Sequence, residues 1–169
     1  MNRLFRSGLL SLFLCFGLFA TAAAQIGDDD SEYDLRIKSI LEELDVEFEI
    51  LEDGDFKIVL PVGDERTQAL FINSNTEFYD EMEIREVWSW GYECEGEVPQ
   101  DIANKLLKNS FDQKLGAWQI YVGTETTRAM FAVKMSANAN LDSMRSAIIA
   151  VITNADSIEE DLSGDEDKF

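Results

Sequence analysis

Along this chain the spacing of apolar residues switches between that of a helix and that of a strand. The order of these switches limits the folds that the chain can adopt. The first spacing is helical, and it is carried by Tyr33, Ile37, Ile40, Leu41 and Leu44. From Val46 onward apolar and polar residues alternate, as they do in a strand with one wet face. Helical spacing returns after Pro99 and again after Asn140. The sequence therefore predicts the order helix, four strands, helix, two strands, helix.

The turn and cap residues set the expected limits of these elements. Helices are predicted over residues 32–44, capped by Ser31, from Pro99 to about residue 110, and after Asn140, which caps the last one. Strands are predicted over residues 46–50, 56–60, 68–73, 82–92, 117–122 and 128–135. Asp53-Gly54 favours a hairpin turn, and residues 73–80 are expected to form a polar loop.

Short links between strands favour antiparallel pairing, so we predict an α+β fold of two layers. In this fold an antiparallel sheet carries all three helices on one face, in the order α-β-β-β-β-α-β-β-α. Residues 31–162 are expected to form a single domain, after an acidic leader at residues 25–30 and before an acidic tail at residues 163–169. The stretch from Glu159 to Asp167 holds six acids and no base, and it is expected to be a helix end that runs into a solvated tail.

The first 24 residues have the three parts of a secretory signal peptide. Arg3 and Arg6 form a positive start, residues 9–19 are mostly apolar, and Ala22 and Ala24 fit an A-x-A cleavage site. A retained membrane anchor is the alternative, but the apolar run is shorter than the ~20 residues that span a bilayer. We predict cleavage after Ala24 and a periplasmic or secreted protein.

The charge balance narrows the classes of partner. The chain has 34 acidic and 14 basic residues, and signal cleavage removes two of the bases. Such a surface repels phosphates, so we expect neither nucleic acid nor, after cleavage, a membrane as partner. Basic peptides, basic proteins and cations are electrostatically allowed. The charge is equally explained by a need for solubility alone.

Little in the sequence favours catalysis. The chain contains no histidine, which excludes Ser-His-Asp and Cys-His chemistry. Cys94 is the one cysteine left after cleavage, and the acids beside it disfavour the thiolate. The acid runs at residues 28–30 and 165–167 lack the ligand spacing of a calcium loop. We therefore expect no enzyme, no catalytic residue, no cofactor and no metal. A hydrolase using carboxylates alone stays a distant alternative, because no acid pair is distinguished.

Two tryptophans stand two apart on the predicted fourth strand, so both rings point to the same side of the sheet. If that side is open, Trp88 and Trp90, together with Phe71 on the third strand, form a platform for a peptide. If the helices cover it, the rings belong to the core. We favour the core interpretation, because large aromatic side chains usually bury most of their area.

The same long strand raises a second hypothesis. At an edge of the sheet, its free backbone groups would pair with an added strand or with a second copy of the chain. Glu83, Arg85 and Glu86 would otherwise protect that edge. Strand order cannot be determined from the sequence, so both alternatives stay open.

Six short strings, in the same order, resemble the YbjN-like family, which is related in fold to the Tir-type chaperones of type III secretion. They cover residues 53–56, 68–73, 103–109, 114–118, 141–145 and 155–162. The resemblance implies the α+β fold and a peptide-binding role, and it implies no catalytic residues. The signal peptide departs from the cytoplasmic chaperones. The expected function is a non-enzymatic, chaperone-like module that binds a peptide or protein segment. The alternative is a structural or regulatory protein acting as a sheet-mediated homodimer.

Overall fold

Three helices and seven strands form the part of the chain that the computed structural model describes, which is residues 32–63, 66–163 and 167–169. The helices are α1 (Leu35–Glu43), α2 (Gln100–Asp112) and α3 (Leu141–Ser163). The strands are β1 (Glu49–Ile50), β2 (Phe56–Pro61), β3 (Thr67–Ile72), β4 (Glu77–Tyr79), β5 (Met82–Glu95), β6 (Ala117–Val122) and β7 (Thr126–Ser136). The predicted signal peptide and acidic leader lie outside the described residues.

All pairings in the sheet are antiparallel, and the strand order is β1-β2-β3-β5-β7-β6. The α+β class and the order of helices and strands are confirmed. The sheet has one strand more than expected, because β4 forms a hairpin with the start of β5 inside the predicted polar loop. The edge question is also settled, since the middle of β5 lies between β3 and β7.

The helices lie on one face of the sheet. Along β5, the buried residues Arg85, Val87 and Ser89 alternate with half-buried ones, so one face is covered and the other is not. Gly91 lies on the covered face, where an added Cβ would come within 2.9 Å of the Ala155 carbonyl oxygen of α3. The core between the layers is formed by apolar residues of α1, α2, α3 and of strands β2, β3, β5, β6 and β7.

The helix starts follow their capping groups. The side chain of Asp34 accepts a hydrogen bond of 2.8 Å from the backbone N–H of Arg36, so α1 begins at Leu35 and not at residue 32. Ser31, the predicted cap, lies outside the described residues. Asn140 caps α3 as predicted, accepting from the Ser143 N–H at 3.0 Å.

The stretch from Glu159 onward begins as the predicted helix end, and its described acids Glu160, Asp161 and Asp167 are exposed, but Glu159 is not solvated. Glu159 is fully buried on α3. Its carboxylate accepts backbone hydrogen bonds from Lys168 and Phe169, at 2.5 and 3.1 Å. Helix α3 continues to Ser163, and residues 167–169 are bound to the body of the protein.

No helix among the described residues is both long enough and apolar enough to span a membrane.

Candidate binding face

Four aromatic side chains form a continuous row across the sheet, on the face opposite the helices. Phe71 of β3 stacks on Trp88 of β5, with ring centroids 4.4 Å apart. Trp88 meets Trp90 edge-on at 4.8 Å, and Trp90 reaches Tyr121 of β6 at 6.2 Å. We call Phe71, Trp88, Trp90 and Tyr121 the aromatic row. It spans β3, β5 and β6, and it crosses above β7.

The row follows from strand register. Phe71 and Trp88 are paired residues of β3 and β5, so their rings rise from the same face at neighbouring positions. Trp90 is paired with Met130 of β7, whose half-buried side chain belongs to the same face. The short spacing of antiparallel strands therefore brings together aromatic residues that are far apart in sequence.

The core interpretation of the tryptophans is wrong. Trp88, Trp90 and Phe71 are only half-buried, and Tyr121 is 59% exposed. Helices α1, α2 and α3 pack on the opposite face, where Val87, Ser89 and Phe131 are fully buried. The rings shield one another, but within the described residues no helix covers them.

A cation and several polar groups hold the row in place. The guanidinium of Arg128 lies 5.5 Å from the centre of the Trp90 ring, at cation–π distance, and it is also paired with Glu93. The indole N–H of Trp88 donates to the Asn73 side-chain oxygen at 2.7 Å. Both indoles are thereby oriented before any ligand arrives, which lowers the entropic cost of binding.

A small polar cleft of about 160 Å³ adjoins the row. It is lined by Asn73, Asn75, Glu77, Ile84, Glu86 and Lys134. Glu86 accepts from the Gln119 amide at 2.9 Å and lies 3.8 Å from the Lys134 ammonium group. The cleft thus offers a donor and acceptors beside a flat aromatic surface, a combination suited to a peptide backbone next to an apolar side chain.

Strand β6 is an edge strand of the sheet, and its outer side is exposed. It pairs with β7 on one side only, and it contains no charged residue or proline. Ile120, Tyr121 and Val122 are 49%, 59% and 74% exposed. An open groove of about 480 Å³ runs beside it, with an apolar part formed by Val98, Ala103, Ile120 and Val122.

Neither metal chemistry nor a reactive cysteine is suggested by the described residues. They contain no group of three or more acidic or cysteine side chains placed to hold a metal ion. Cys94 is a partly buried free thiol. Burial, together with the nearby Cys94, raises the pKa of Tyr92.

No family model, curated protein or solved structure matches this chain.

The sequence predicts three members of the row but not the rest of the site. Phe71, Trp88 and Trp90 were expected together, and they do lie together. Tyr121, Arg128 and Met130 join them only because β7 lies between β5 and β6. Residues 117–122 were predicted correctly as a strand, and the face of Tyr121 follows from that alternation. The missing information was the strand order, which local spacing does not contain.

Proposed function

We propose that the protein is a non-enzymatic, exported binding module that engages an extended peptide or protein segment on the open face of its sheet. The observation that carries the proposal is the aromatic row, a continuous pre-oriented apolar surface on the face away from the helices. Aromatic rings of this kind contribute large contact areas at low conformational cost, and they often dominate peptide recognition. A chaperone-like role and membership of the YbjN-like family belong to the same proposal.

The charge of the face supports a peptide ligand. The chain as a whole is strongly acidic, with a net charge of −20, yet the open face carries Lys57, Arg128 and Lys134 among its strands. Glu86 and Glu93 balance these cations locally. The charges next to the row are therefore paired, so apolar contact and stacking are expected to determine the affinity of a segment bound there.

Peptide affinity tests this proposal directly. Residues 31–169 are incubated with an array of fluorescent unfolded peptides, and binding is measured for Trp88→Ala and Trp90→Ala. Each substitution is expected to weaken the best peptides by about tenfold or more, because a central aromatic contact is worth about 2 kcal/mol. Tyr79→Ala is the matched control, since Tyr79 is 76% exposed outside the row, and its affinity is expected to stay within about twofold.

The proposal is abandoned if no peptide binds, or if the tryptophan variants lose stability but keep their affinity. Circular dichroism of each variant separates these outcomes from simple unfolding.

The edge strand β6 favours a second candidate function, a structural or regulatory homodimer formed through the sheet. Unprotected edges pair readily with another strand, and charge or proline usually guards against this. None is present from Ala117 to Val122. Sedimentation velocity is expected to show dimers that Ile120→Lys dissociates, while Val59→Lys, which is comparably exposed at 52%, leaves them intact. A strict monomer at high concentration excludes this function.

A further inference from the structure

Strands β3 and β5 pair over a short distance and then separate. Their paired residues are Phe71 with Trp88 and Ile72 with Val87. Beyond these, the buried side chain of Gln68 replaces the strand pairing, donating to the Ser89 hydroxyl at 2.8 Å and to the Trp90 carbonyl oxygen at 2.9 Å. We call the opening between the start of β3 and the second half of β5 the β3–β5 gap.

Residues Asp167–Phe169 lie against this gap. The backbone N–H of Ala69 donates to the Phe169 carbonyl oxygen at 2.9 Å, as a neighbouring strand would accept it. The backbone N–H of Thr67 donates to the Asp167 carboxylate at 3.2 Å. From β5, the Glu93 carboxylate accepts from the Lys168 ammonium at 2.8 Å. The segment is therefore held from both strands.

A buried carboxylate recognises the main chain of this segment. Glu159 is fully buried, and one of its oxygens accepts both backbone N–H groups, from Lys168 and Phe169. Its other oxygen lies 3.4 Å from the guanidinium of Arg66, which also donates to Asp156 at 2.8 Å. Charge-assisted bonds to backbone amides are strong and depend little on side-chain identity.

The residues that bind the segment are largely buried, whereas the segment itself lies at the surface. Glu159, Gln68 and Arg66 are buried or nearly so, and the side-chain oxygen of Gln68 has no hydrogen-bond partner among the described residues. Asp167 and Lys168 are exposed, and Phe169 is partly exposed and lies outside the hydrophobic core. Arg66 remains beside Glu159 if the segment leaves, so its departure does not isolate a buried charge.

We propose that the β3–β5 gap is a peptide-binding site, that Asp167–Phe169 occupies it as an intramolecular ligand, and that an extended peptide from another protein displaces this segment. The ligand class is an extended segment read mainly through two successive backbone amides. An acidic, a basic and an aromatic residue in succession are the side chains that the site accepts. The gap lies beside the aromatic row, but the bonds that hold the segment do not involve the rings, so this proposal does not rest on the function proposed above.

Tethering determines how the site is tested. An intramolecular ligand competes at an effective concentration of about millimolar, so the intact chain masks its own site. A variant ending at residue 166 exposes it. The probe is a fluorescein-labelled peptide with the sequence of residues 163–169, and its affinity is measured by fluorescence anisotropy. The shortened protein is expected to bind the probe at least about tenfold more tightly than residues 31–169 do.

Three further measurements test how the peptide is recognised. A probe N-methylated at the amides corresponding to Lys168 and Phe169 is expected not to bind, because Glu159 then has nothing to accept. The Thr67 hydroxyl also donates to the Asp167 carboxylate, at 3.3 Å. In the shortened protein, Thr67→Ala removes this side-chain bond and keeps the backbone one, so it is expected to weaken binding about threefold. Tyr121→Ala, which changes the aromatic row far from the gap, is expected to leave the affinity unchanged.

The proposal is overturned by any of three results. The two proteins bind the probe equally, the N-methylated probe binds as well as the original, or the shortened protein gives no binding while its circular dichroism is native. Loss of cooperative thermal unfolding in the shortened protein also overturns it, since the segment is then part of the structural core.

Discussion

Arg85 is 1% exposed, and it shows how a charge on this sheet can be buried. It donates to the Asn73 carbonyl oxygen at 2.5 Å and is paired with the carboxylate of Asp34. Arg36 joins Asp34 to Glu83, with guanidinium–carboxylate distances of 2.7 Å to each. This network fastens the start of α1 to the start of β5. The sequence suggested edge protection for Glu83 and Arg85, because their partners come from an element that local spacing does not connect to them.

The network predicts a loss of stability in acid. Burial opposes the charge of Asp34, but hydrogen bonds from Arg36 and Arg85 outweigh it and lower its pKa from 3.8 to about 2. The hydrogen bond from Arg36 lowers the pKa of Glu83 from 4.5 to about 2. Both carboxylates therefore stabilise the fold above about pH 5, and this contribution is lost as the pH falls towards 2. The loss is on the order of 1–3 kcal/mol, because Arg36 is partly exposed to solvent.

Urea unfolding between about pH 6 and about pH 2.5 measures this effect. Glu83→Gln keeps an acceptor for Arg36 but removes the titrating charge, so its stability is expected to fall less steeply with acid. Glu77→Gln is the control, since Glu77 is exposed on β4. Equal slopes for Glu83→Gln and the unchanged protein would contradict the assignment.

Gly54 is fixed by its neighbours as well as by its backbone angle. Its φ is +84°, and an added Cβ would overlap the Glu32 carbonyl oxygen. We expect Gly54→Ala to reduce the free energy of unfolding by about 3 kcal/mol or more. Gly96→Ala has a similar φ of +70° with open space around it, so it isolates the angular strain, at about 1 kcal/mol. Thermal denaturation compares the two, and equal losses would show that the contact with Glu32 is unimportant.

At the scale of elements, hydrophobic spacing predicts the long, regular helices and strands. It fails for short strands, whose existence depends on pairing with another strand. The limits of β6 were predicted correctly, because its alternation and the turn after it are local signals. β4 was missed, since Glu77–Tyr79 is only three residues long and depends on its pairing with β5. β1 is shorter than predicted: Val46 and Phe48 pack on the core without ladder pairing. The binding face required the strand order, and the burial of Glu159 required amides nine and ten residues further along.

The cap of α3 is an element-scale feature that can be tested by one substitution. Asn140→Ala removes the acceptor for the Ser143 N–H, and it is expected to cost about 1 kcal/mol in the free energy of unfolding. Asn104→Ala is the matched control, because Asn104 is exposed inside α2, where alanine favours the helix slightly. Chemical denaturation of both variants measures their free energies of unfolding. Equal losses of stability in the two variants would argue against a capping role for Asn140.

For the whole molecule, repulsion among 34 acidic side chains opposes the compact state. Raising sodium chloride from about 10 mM to about 150 mM shortens the Debye length from about 30 Å to about 8 Å. The buried ion pairs are screened much less than the exposed acids. We therefore expect the thermal midpoint to rise by several degrees, as measured by scanning calorimetry. A falling midpoint would show that exposed attractive pairs such as Arg145–Asp142 dominate the electrostatics.

The centre of the sheet joins β5 to β7, although α2 and β6 separate these two strands along the chain. The bond between Thr67 and Asp167 spans 100 residues. Loops of this length must close before such contacts contribute, and closure of this kind slows folding. During synthesis β1, β2, β3 and β5 are able to pair with one another as they are made, but β5 lacks its second partner until β7 has been made. Until then one edge of β5 has free backbone groups, which are open to pairing with other strands.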